Sequence, residues 1–168
     1  IYSTHTKEIV CTWVPHEKEP IFGVRFLSDT QLLTGATRNK QLGVWDLSTL
    51  GSTGSPQCRQ LINFYSHDQS CQQIYNLLTF ASAKLPYLFV ANPKKRSLVV
   101  LQFDSARQCF HYATEINIVF PIMSIAPQYI SAKNQIQLYC VQTLAVQRYN
   151  IPIESIQEQH EQSQQSQQ

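Results

Sequence analysis

The side chains in this chain best placed to do chemistry are cations that recur between apolar stretches. Arg38 and Lys40 flank Asn39, Lys94, Lys95 and Arg96 are consecutive, and Lys133 stands in a third polar segment. Each set lies between runs of strand-like alternation, the pattern of a hairpin tip. If the tips are equivalent turns of repeated units, joining the second and third strands of each, they emerge on one face. Six of the chain's 13 Lys and Arg residues would then share that face, with no Asp or Glu inside the three segments. Such a surface attracts phosphate, as in RNA, or an acidic peptide. The competing reading is a set of ordinary solvated tips, and Glu17 and Glu19 would weaken the field if they lie on the same side.

Other chemistry finds little support. The cysteines at 11, 58, 71, 109 and 140 are scattered, with no Cys-x-x-Cys pair. They read as small apolar side chains in a reducing compartment. His16 has no second His, Cys or carboxylate pair nearby at a ligand spacing. There is no Gly-rich phosphate loop, nucleophile elbow or convergent carboxylate pair. No catalytic, cofactor-binding or metal-binding residue is therefore expected, and the chain reads as a non-enzyme. A net charge of +2 does not by itself imply a polyanion partner. No apolar run is long enough for a membrane span, so no membrane partner is expected. The first residues, Ile1-Tyr2-Ser3-Thr4-His5, hold neither an initiator Met nor a signal-peptide core, which suggests an internal piece of something longer.

The elements that must position these residues are strands. Gln41–Asp46, Ser97–Gln102 and Gln135–Cys140 rhyme: each has apolar residues at its second, fourth and fifth positions. Trp45, Leu101 and Tyr139 then stand at equivalent places, 56 and 38 residues apart. That brackets the period of about 40–45 residues of WD-type β-propeller blades. The expectation is an all-β fold, a partial WD40-type propeller of about three four-stranded antiparallel blades.

Ile9–Val14, Ile21–Leu27, Gln31–Thr34, Gln41–Asp46 and Cys58–Tyr65 supply strands in the first unit, with a flexible Gly/Ser loop over 51–57. Ile74–Ala81, Tyr87–Ala91, Ser97–Phe103 and Gln108–Thr114 make the second. Strands near Ile122–Ala126, Gln135–Gln142 and Leu144–Ile151 make a third, beginning at Ile116. The propeller piece is expected over 1–154. The Gln- and Ser-rich stretch 155–168 reads as the start of a disordered linker.

Two residues carry the blade motif itself. His16, in the loop leading into the first unit, and Trp45, before Asp46, match a hydrogen-bonded network of His, Ser and Asp packed beside a Trp. Gly35 stands where the Ser is expected and Asn39 where the Asp is expected, so the network reads as incomplete. His67 and Asp68 repeat the position of His16 in the second unit.

Several stretches resemble one family in particular: Ile9–His16, Leu33–Trp45, Phe89–Lys95 and above all Ile136–Tyr149, whose Tyr-Cys-Val-Gln-Thr run is foreign to generic WD repeats. They are similar to the later blades of the decapping scaffold called Varicose in plants and enhancer of mRNA decapping in animals. The resemblance covers roughly residues 9 to 151, in order. It implies a non-enzymatic scaffold for mRNA decapping and decay in cytoplasmic processing bodies. Its partners would be the decapping enzyme and its activator, with RNA or an acidic peptide as a further partner of the basic loops. The alternative is a generic WD-repeat adaptor or substrate receptor.

Overall fold

A computed structural model describes residues 1–64, 77–82 and 85–156. The chain divides into two compact units, Ile1–Gln72 and Gln73–Gln168.

In the first unit a small pair, β1 (Tyr2–Ser3) with β2 (Glu8–Ile9), precedes a short 3-10 turn at His16–Lys18. A four-stranded antiparallel meander follows: β3 (Ile21–Ser28), β4 (Gln31–Ala36), β5 (Gln41–Asp46) and β6 (Gln57–Asn63), paired in chain order. The strand expected over Ile9–Val14 is not formed beyond Ile9. Its β-branched residues favour a pleated surface only where a partner edge supplies the ladder. Here that stretch is instead tied to the chain start, with the Ile1 amino group on Cys11 O at 2.8 Å and Val10 N on Ile1 O at 3.0 Å.

Strand β4 is buried at every residue, and β5 at all but Gln41. Covered on both faces, the pair reads as a near-continuous apolar run. Leu33 pairs with Val44 and Leu32 with Trp45 across the ladder. Burying each such side chain is worth about 1.5–3 kcal/mol. The tip between them runs through Thr37, Arg38 and Asn39 at φ 50°, 60° and 59°. The loop after β5 is more ordered than a flexible linker. Residues Leu50–Thr53 form one helical turn, stopped by Gly54 at φ 71°, and the Thr49 and Thr53 hydroxyls close it onto Ser55 O.

The second unit holds two sheets. Strands β7 (Leu77–Ser82), β8 (Leu85–Ala91), β9 (Ser97–Asp104) and β10 (Cys109–Asn117) form an antiparallel meander. Strands β11 (Ile122–Ile130), β12 (Gln135–Gln142) and β13 (Val146–Pro152) form the other. Alternate residues make the core between them: Tyr87, Phe89, Leu98 and Val100 from one sheet, Ile122, Ile136, Leu138, Cys140 and Ile151 from the other. The opposite face of the first sheet, through Leu88, Val90 and Leu101, is buried as well.

The fold is thus all-β, built of blade-type antiparallel sheets. Three expectations are corrected. The last sheet has three strands rather than four, because β10 runs on to Asn117 and absorbs Ile116, while β11 runs unbroken to Ile130. Consequently Tyr139 lies on the second strand of its sheet, whereas Trp45 and Leu101 lie on third strands. Central strands carry apolar residues at the same offsets whether buried on both faces, like β5, or on one, like β12, so the pattern does not give strand order. Finally, the chain turns helically over 153–156, and Ile156 is buried in the core, two residues past the boundary expected at 154. Of the linker expected over 155–168, residues 157–168 lie outside the described residues, as do His67, Asp68 and Cys71.

Candidate functional site

Trp45 is the hub of a buried polar chain in the first unit. Thr34 and Gly43 are cross-strand partners on the same face as Trp45. The Trp45 indole N–H donates to Thr34 Oγ1 at 2.7 Å. Thr34 Oγ1 lies 2.6 Å from His16 Nε2, and His16 Nδ1 lies 2.6 Å from Gln41 Oε1. Gln41 Nε2 then donates to Asn63 Oδ1 at 2.9 Å. The donor inventory sets the directions. An indole only donates, so the Thr34 hydroxyl accepts from Trp45. The Gln41 Oε1 atom only accepts, so His16 donates from Nδ1–H, and Nε2 of the neutral ring accepts the Thr34 proton. Edge-on ring contacts complete the packing, His16 at 5.8 Å and Trp13 at 6.2 Å from Trp45.

The network is therefore complete, contrary to the expectation from sequence. Thr34 does the work assigned to Gly35, and Gln41 the work assigned to Asn39. The reason is strand alternation: Gly35 pairs with Leu42 on the other face of β4. There it serves Asn39, since a Cβ on Gly35 would come within 2.0 Å of Asn39 Oδ1. Gly43 was not singled out from sequence, yet a Cβ there would stand 2.7 Å from Trp45 Nε1 and 3.1 Å from His16 Cε1. Only glycine leaves both rings where they are. The signal available was a glycine facing a hydroxyl across an alternating pair. To reach this position His16 takes φ 53°, followed by Glu17 at 49° and Lys18 at 79°. The product is mechanical: both ring nitrogens are engaged, and the loop before β3 is pinned to the sheet.

Asp46, also not singled out, is a second buried anchor. Its Oδ1 accepts from Ser48 N at 2.8 Å and Ser48 Oγ at 2.6 Å. Its Oδ2 accepts from Arg59, through Nε at 3.1 Å and also through Nη2. The Ser48 hydroxyl first, then the Arg59 guanidinium, lower its pKa to about 2 against the opposing effect of burial. This ties the loop after β5 to the start of β6.

The six predicted cations stand on three turns. Arg38 is exposed at the β4–β5 tip and Lys40 is half-buried at its end. Lys94 and Arg96 are exposed and Lys95 is half-buried at the β8–β9 tip. Both tips join second and third strands, one in each unit. Lys133 is exposed in the 3-10 turn Ser131–Lys133 between β11 and β12. That turn joins the first and second strands of its sheet, so it is not the equivalent loop. Lys94, Lys95 and Arg96 share one braced tip. Asn92 Oδ1 accepts from Lys94 N at 2.9 Å, Asn92 O from Lys95 N at 3.1 Å, and Arg96 O from Ile118 N at 3.0 Å.

Neither a protein-family model nor a curated protein matches this chain. Solved structures do. Sqt1 of Saccharomyces cerevisiae aligns over 80% of this chain and 35% of its own at 10% identity, with a TM-score of 0.49. A protein from Lactobacillus plantarum aligns over 84% of this chain and 44% of its own at 14% identity, with a TM-score of 0.46. The chain thus spans less than half the length of these two structures.

Proposed function

We propose that this chain is part of a non-enzymatic WD-repeat scaffold that supports mRNA decapping and mRNA decay in cytoplasmic processing bodies. The decapping enzyme and its activator are the partners this reading names. Its basis is the resemblance over residues 9 to 151, and the observation that carries it is how the most specific part of that resemblance is used. Within Ile136–Tyr149, Ile136, Leu138 and Cys140 point into the core between two sheets. Gln142 Nε2 donates to Phe120 O at 2.7 Å and to Tyr149 Oη at 2.9 Å, and Tyr149 Oη accepts from Val119 N at 3.3 Å. Gln142 and Tyr149 thereby lock the chain before β11 onto β12 and β13. The reading itself rests on the resemblance; what the structure adds is that Cys140 and Gln142 of that run are built into the sheet.

The coarser reading, a repeat scaffold or adaptor for some other complex, requires only the blades. A pull-down from cytosol with the tagged chain separates the two. Recovery of the decapping enzyme or its activator is expected. Recovery of ubiquitin-ligase components in their place would replace the decapping reading with the substrate-receptor one.

A further inference from the structure

We infer that the β8–β9 tip, Lys94-Lys95-Arg96, is the docking point for an acidic peptide segment of a partner protein. The inference rests on the scaffold reading for the existence of a partner, and on its own observations for the partner's chemistry. First, the hairpin carries no acid of its own, although Glu115 on the neighbouring strand β10 pairs with Val99. The sequence holds no Asp or Glu from Gln69 to Phe103, nor from Ile116 to Ile153. Among the described residues the three cations form no ion pair, whereas Arg59 pairs with Asp46 and Arg107 with Asp104. Second, the tip is braced by the Asn92 and Ile118 hydrogen bonds already described. Its backbone need not be ordered on binding, so less of the attraction is lost to entropy. Third, the tip lacks what single-stranded RNA asks for. Base stacking needs exposed aromatic faces, and the aromatics of β8 and β9, Tyr87, Phe89 and Phe103, are buried. Carboxylates need only charge and forked donors, which Arg96 supplies in bidentate form and the lysines as point charges.

The test uses the full chain, a fluorescent Asp/Glu-rich peptide, its Gln/Asn counterpart and a short oligouridine, titrated by anisotropy at low and moderate salt. The acidic peptide is expected to bind, the amide peptide not, and the affinity to fall with salt. The double variant Lys94→Glu/Lys95→Glu should weaken binding by roughly tenfold or more with an unchanged circular dichroism spectrum. Arg25→Glu, an exposed strand residue, should leave it unchanged. Arg96→Lys keeps the charge and loses the fork, so a reproducible loss there supports bidentate contact. Absence of peptide binding, or indifference to the double variant, overturns the inference. Tighter binding of oligouridine than of the peptide overturns the peptide assignment. Because the titration contains no decapping factor, its failure is separate from failure of the pull-down.

Discussion

Replacing Thr34 by Val keeps the shape of the side chain and deletes the one oxygen that both Trp45 and His16 use. Two buried polar atoms then lose their partner, the Trp45 indole N–H and His16 Nε2. Changing the His16 tautomer does not help, because Nε2–H would face a methyl group. An orphaned buried group costs about 1–3 kcal/mol, so the substitution should cost about 2–6 kcal/mol. For a unit of this size each kcal/mol lowers Tm by roughly 4–8 °C, which places the loss beyond about 8 °C. Both tryptophans of the chain, Trp13 and Trp45, lie in the first unit, so a fluorescence melt reads that unit alone. Thr34→Ser keeps the oxygen and should cost far less than Thr34→Val. A double-mutant cycle of Thr34→Val with Gln41→Met should give a coupling energy above about 0.5 kcal/mol, as expected of one network. A Thr34→Val protein within about 0.5 kcal/mol of wild type, the range of an ordinary surface change, would refute the hydrogen-bond chain.

Gly43→Ala should destabilise the same unit by about 1–3 kcal/mol, because its Cβ has no room beside either ring and overpacking costs that much; a fluorescence melt like that of wild type would contradict the close approach. Asp46 predicts an acid transition. Its folded pKa is lowered from 3.8 to about 2, so its contribution is fully present above the unfolded value and is lost as pH falls from about 4 to 2. The size is about 2 kcal/mol, discounted for the exposure of Arg59, and denaturant titrations of wild type and Asp46→Asn should converge at the acid end of that range. Cys140 is fully buried and burial pushes its thiol up to about 11. It should resist an aromatic disulfide reagent at mildly alkaline pH until the protein is unfolded, while exposed Cys58 reacts in the native state.

Strands bounded by polar turns were legible, and the period of two then fixes which side chains share a face. Gln41–Asp46 and Gln135–Gln142 are strands with the expected bounds. Strand order was not legible in the last sheet. Ile116 and residues 127–130 belong to strands that simply continue, and no Gly marks where they stop. The network was half legible. His16 and Trp45 stood out by type, but Thr34 and Gln41 depend on register, and an offset of one residue on β4 exchanges Thr34 for Gly35. The six cations looked equivalent because hairpin tips are alike in composition. Only pairing order shows that Lys133 joins a first strand to a second.

The polar side chains divide into two populations, and the division bears on what the described part of the molecule can do. Several of those drawn into the sheets engage one another, although Gln31 Nε2 and Gln142 Oε1 are buried without a hydrogen-bond partner among the described residues. Both nitrogens of His16 are engaged, both oxygens of Asp46 accept from Ser48 or Arg59, and Tyr149 and Gln142 spend their donors on each other's neighbourhood. A general base needs a lone pair facing a substrate, and in these anchors the lone pairs face the protein. The other population is the lysines and arginine of the β8–β9 tip, whose backbone is fixed while their charges meet solvent without an ion-pair partner among the described residues. On the proposal made above, this fixed charge gains most from a partner that brings the opposite sign. The same sheets that consume the acid–base groups internally thus leave, at one hairpin, a surface suited to holding another chain.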